Sequence, residues 1–166
     1  EEERGPLDIL LSNPTTRLQV LLQKFAAMVT GILILGLVLW ASVLIGAAIV
    51  DMELSIVRAA EATLSGMLLA TAFGTLALAL GSATGKRGLS IAVAGAVAIA
   101  AYFINALVPL VAGIEKGAMV SPFYYYIEAD PLSNGLYPAH AAALVGMSIV
   151  LVAIAVFTFE RRDLAV

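Results

Sequence analysis

From residue 25 onward the chain is written in long apolar runs. Residues 25–50, 62–83, 89–114 and 139–159 contain no Asp, Glu, Lys or Arg, and short polar stretches separate them. Each run holds about 20 to 26 residues, enough at about 1.5 Å per residue to cross a hydrocarbon core of about 30 Å. A closed barrel would need shorter segments that alternate between apolar and polar positions, and these do not alternate. Backbone amides in lipid must pair within their own segment, so the pattern predicts four spanning helices and an all-α, polytopic transmembrane helix bundle.

Residues 1–24 follow a different pattern. Leu7, Leu10 and Leu11 recur at helical spacing, while Glu1 to Glu3, Arg4 and Asp8 charge the opposite face. Ser12, Asn13 and Pro14 then form a turn signal, because proline disfavours helix in the residue before it. Thr16 followed by Gln19 fits a capping box, which predicts a new helix that runs through Lys24 directly into the first span. The foot reads as a short amphipathic helix hinged to a membrane helix. It serves either as an interfacial anchor at the headgroups or as a docking element for a soluble partner. The chain opens without an initiator methionine or a signal-peptide pattern, so it is expected to be a piece of a longer protein.

Within the spans small residues recur: Gly66, Ala70 and Gly74 at every fourth place, Gly81 with Gly85, and Ser90, Ala94 and Ala98. Such residues let membrane helices approach closely, and ordinary bundle packing accounts for them. Asn105 and Pro109 interrupt the third run near its end, and either line a pathway or shape a kink. The connection before the last run gathers Phe123, Tyr124, Tyr125, Tyr126 and Tyr137 with Pro122, Pro131 and Pro138. Two readings fit it: an aromatic belt at the interface, or a short re-entrant or surface helix capping the outer mouth of the bundle.

Composition agrees with a membrane protein: 61% hydrophobic and 13% charged residues, with a mean hydropathy of +1.01. The net charge of -3 says less than the placement of the cations. Arg4, Arg17, Lys24, Lys86, Arg87, Arg161 and Arg162 fall on one side of the spans, Arg58 and Lys116 on the other. The positive-inside rule makes the foot, the turn at 85–88 and the C-terminal tail cytoplasmic, with residues 51–61 and 115–138 outside.

Catalytic constellations are missing from the sequence. There is no cysteine, and His140 is the single histidine, so neither thiolate nor two-histidine metal sites can form within the chain. Asp51, Glu53, Glu61, Glu115, Glu128 and Asp130 are expected in outer connections, solvated. No Gly-rich phosphate loop, no GxSxG serine motif and no basic patch for nucleic acid occurs. Any chemistry that drives the protein is expected in another subunit.

The opening stretch EEERGPLDILLSNPTTR resembles the segment between the second and third membrane helices of type-2 ABC exporter permeases, whose usual form is E-x-x-x-G-x-L-x-x-L-L-x-x-P-x-x-R. Glu1, Gly5, Leu7, Leu10, Leu11, Pro14 and Arg17 stand at the matching places, and Pro6 departs from the pattern. The SPF tripeptide at 121–123 and the closing FERRDL are similar to the same family. The resemblance implies a type V exporter fold in which the four spans are spans three to six of a six-span permease.

It also implies that the foot is a coupling helix resting on a cytoplasmic ATPase subunit. Glu1, Glu3, Arg4, Gly5, Leu7, Asp8, Leu11, Pro14 and Arg17 would form the contact, with a hinge at residues 12–16. ATP and magnesium would be bound by that nucleotide-binding partner, leaving this chain with no cofactor, metal or catalytic residue of its own. Two permease chains, identical or different, would pair with two ATPase subunits in a prokaryotic plasma (inner) membrane, exporting a substrate that the apolar walls do not identify. Hydrophobic cargo would sit between chains near Asn105 and Pro109. A secondary transporter or channel is the alternative, although it would want an ionisable residue in mid-membrane, and these runs have none. A non-transporting membrane scaffold or assembly subunit is the other.

Overall fold

The computed structural model describes residues 16–110 and 115–161. Four long helices form: α1 (Arg17–Ile49), α2 (Ile56–Thr84), α3 (Arg87–Leu107) and α5 (Pro138–Arg161); between the last two lies the short α4 (Pro122–Ile127). The protein is all-α, with no strand among the described residues. All four long helices are long and apolar enough to span a membrane.

Local chemistry sets the helix ends. Thr16 caps α1 through a complete capping box: its hydroxyl accepts from the Gln19 amide at 3.2 Å, and the Gln19 side chain accepts from the Thr16 amide at 2.9 Å. Helix α1 therefore starts well before the apolar run at residue 25. Ser55 caps α2, and Gly85 ends it with φ 69°, a left-handed C-cap that a residue with a Cβ would resist. The α2–α3 turn is then fastened by a 3.1 Å contact between the Thr84 and Ser90 hydroxyls. The third apolar run continues to residue 114, but regular helix stops at Leu107 and tightens into a 3-10 turn at Val108–Leu110. Pro109, in the middle of that turn, has no N–H to continue the helical ladder.

Helix α2 is the centre of the bundle. It packs against α5 most extensively, then α1, then α3, whereas α3 has no comparable contact with α1 or α5. Small and hydroxyl side chains make its faces: Ala59, Thr63, Ser65, Leu69, Ala72, Thr75, Ala79 and Ser82 are buried. Thr63, Thr75 and Ser82 donate to the carbonyls of Ala59, Thr71 and Leu78 at 2.6–2.9 Å, so none brings an unpaired hydroxyl into the apolar interior. Between α1 and α2 two methionines interlock with facing glycines. A Cβ at Gly36 would lie 2.7 Å from the Met67 sulfur, and one at Gly74 would lie 2.6 Å from the Met28 sulfur. Glycine leaves room for these side chains as they stand, and a larger residue at either place would push the methionine aside, so bundle packing accounts for the small residues here.

The outward faces are apolar. Along α1 the side chains from Leu33 to Leu39 include Leu35 at 70% exposure and Leu37 at 59%. A soluble protein would bury such a surface, whereas a bilayer solvates it.

Candidate functional site

Two regions gather polar groups against the bundle: a cap at one end, built on α4, and a cavity at the other, where the turn 85–88 lies. Ser121 and Pro122 start α4 for stated reasons. The Ser121 hydroxyl accepts from the Phe123 amide at 3.2 Å, and proline suits the first helical position, where no N–H partner is needed. The same buried hydroxyl donates to the Ala101 carbonyl of α3 at 2.8 Å, fixing α4 to the bundle. Phe123 is thereby wedged between Phe73 of α2 and Tyr102 of α3, with ring centroids 5.4 and 5.6 Å away. Phe73 lies about 17 Å along α2 from its Thr84 end, so α4 enters the depth of the bundle and does not lie flat across its top.

Behind α4, Tyr124, Tyr125 and Tyr137 surround His140 at centroid distances of 5.7, 5.5 and 4.8 Å. The Tyr124 phenol is pushed above its ordinary range, first by a hydrogen bond to Glu128. On the same side the Arg58–Glu61 pair, 3.5 Å apart, is covered by Gly135, whose φ is 89°. A Cβ at Gly135 would run into the Arg58 guanidinium and come within 2.7 Å of Glu61 Oε2. Glu61 was expected in a solvated connection; instead it belongs to α2, which starts six residues before the apolar run, and its Oε2 is shielded from solvent. The Trp40 indole of α1 donates to the Ile56 carbonyl at 3.3 Å and ties α1 to the first residue of α2.

At the opposite end a cavity of about 370 Å³ opens where α3 stands away from α1 and α5. Lys24, Arg87, Ser82 and Ser90 are its polar lining, and Leu21, Leu78, Ile91 and Phe159 belong to its apolar wall. A second cavity of about 390 Å³, between α1, α2 and α5 at mid-height, is lined almost entirely by apolar side chains, with Thr71 and Ser148 the exceptions. Among the described residues no cluster of His, Asp or Glu could hold a metal ion.

A family model described as ABC-2 family transporter protein matches residues 1–164, nearly the whole chain. The chain belongs to that family. It is a multi-pass ABC-2 type permease, consistent with its four apolar helices. No curated protein and no solved structure matches it.

Of the permease residues expected to contact an ATPase, Glu1, Glu3, Arg4, Gly5, Leu7, Asp8, Leu11 and Pro14 lie outside the described residues, and Arg17 is the first residue of α1. Asn105 is half-buried near the end of α3 and lines neither cavity, and Pro109 lies in the 3-10 turn that follows. Sequence reasoning missed the Phe123 wedge, the methionine–glycine contacts, the Arg58–Glu61–Gly135 cluster and the cavity at Lys24 and Arg87. The Ser-Pro pair at 121–122, an N-cap followed by a first-turn proline, was the local signal that could have located α4.

Proposed function

We propose that this permease is the membrane-spanning subunit of an ATP-driven exporter. Residues 1–15 would rest on a separate nucleotide-binding subunit, and α1 would carry that subunit's movement into the bundle. Nucleotide and magnesium belong to the partner, and a second permease chain completes the transport route. The observation that supports this reading best is the continuity of α1. It runs unbroken for 33 residues from a capped start at Thr16, about 50 Å of helix against a hydrocarbon core of about 30 Å. A rod that projects from the membrane and begins where the family-like foot ends can convert displacement of the foot into tilt of the span. The basic residues near residues 17–24, 86–87 and 161–162 support a cytoplasmic position for this end, where ATP is available.

Charge reversal of the foot tests the proposal. With the full-length permease co-expressed with its ATPase subunit, Glu3→Lys and Asp8→Lys should weaken co-purification or lower ATP turnover in proteoliposomes, with membrane insertion unchanged. Wild-type association and turnover in both variants would overturn the coupling role. Efflux that persists without the ATPase subunit would mark the protein as a secondary transporter.

A further inference from the structure

The cavity at the Lys24 end of the bundle is divided chemically. On one side are Lys24 and Arg87, and among the described residues no carboxylate lines it; on the other are Leu21, Leu78, Ile91 and Phe159. Its two serines do not serve as donors to a ligand, because Ser82 gives its proton to the Leu78 carbonyl at 2.9 Å and Ser90 to the Lys86 carbonyl at 2.8 Å. Lys24 already has an interaction within the chain, which leaves Arg87, exposed at the start of α3, as the principal donor toward the cavity. Both cations stand at the edge of apolar runs: Lys24 immediately precedes residue 25, and Arg87 lies two residues before 89. That edge is the depth of the lipid headgroups, and basic pockets between spanning helices at this depth suit anionic headgroups.

We propose that this cavity binds an anionic phospholipid, its phosphate held by Arg87 beside the positive charge of Lys24, and the first part of one acyl chain laid on Leu21, Leu78, Ile91 and Phe159. The site follows from the spanning helices themselves and holds whichever way the bundle faces, so it stands apart from the coupling proposal. The lipid would fill the gap that α3 leaves by packing on α2 and not on α1 or α5. Arginine suits the task because its planar fork can hold two phosphate oxygens at once. A soluble phosphate shares the headgroup's chemistry but has no use for the apolar wall.

The full-length permease, reconstituted in nanodiscs of equal parts phosphatidylcholine and phosphatidylglycerol, can be released and weighed by native mass spectrometry with its retained lipids. Wild type should keep phosphatidylglycerol in preference to phosphatidylcholine, and Arg87→Gln should lower that retention by roughly tenfold, the scale of one charge-assisted hydrogen bond. Arg87→Lys should fall between them, having kept the charge and lost the fork. Arg161→Gln, the same charge change at the same end but outside the cavity, should match wild type. Equal retention by wild type and Arg87→Gln would overturn the proposal, as would equal retention of the two lipids. Displacement of phosphatidylglycerol by added inorganic phosphate would overturn it too, by showing a site for the free anion.

Discussion

Gly135 carries two constraints in a single residue. Its φ of 89° is one that side-chain-bearing residues rarely adopt, and the space where a Cβ would sit is taken by the Arg58–Glu61 pair. Gly135→Ala should therefore destabilise the protein by about 1–3 kcal/mol, through backbone strain and displacement of the guanidinium. Thermal unfolding in detergent measures it, with Gly31→Ala as control, since a Cβ there meets nothing within 4 Å. A wild-type midpoint for Gly135→Ala would show that the cap rearranges at no cost. This arrangement was illegible in the sequence because the two partners lie more than seventy residues from the glycine, and no local pattern records that distance. Thr16 and Gln19 are the opposite case. Their capping box depends on residues three apart, so the sequence alone suffices to place it.

At the scale of helices the same division holds. Runs free of charge locate spans because lipid forbids unpaired charge, but a helix continues wherever its hydrogen bonds can form. Hydropathy therefore gave the apolar middle of α1 and α2 but not their polar first turns; the Thr16 capping box supplied that of α1, and Arg58 and Glu61 of α2 had no such signal. It overran α3, since residues beyond Leu107 stay apolar while Pro109 ends the ladder. Helix α4, six residues long, has no periodicity to read; what holds it is Ser121 on Ala101 and Phe123 between two distant rings. For α1 a mechanical prediction follows from its continuity. Gln23 is exposed and lies before the apolar run, so Gln23→Pro should break the rod outside the span, at a local cost of about 3 kcal/mol. With the ATPase subunit present, association should survive while stimulation of ATP turnover by transport is lost, and Gln23→Ala should behave as wild type. Full coupling in Gln23→Pro would show that α1 need not be rigid.

For the whole molecule, the seven-to-two asymmetry of basic residues predicts how the bundle is oriented. A cysteine at exposed Ser133 should react with an impermeant reagent applied to intact cells, and one at Gly88, which has open space around it, only after permeabilisation. The reverse labelling would turn the foot away from the cytoplasm and end the coupling proposal. The interior is held together unevenly: α2 and α5 share the broadest contact, and the α1–α2 contact, next in extent, includes the two methionine–glycine pairs. Both pegs on that seam, Met28 and Met67, carry a sulfur that oxidants convert to the sulfoxide, which is bulkier and polar. Each would then be too large for the glycine it faces and too polar for its surroundings. Oxidation at these two sulfurs would therefore act as a mechanical fault, loosening α1 from the central helix along the seam they fill.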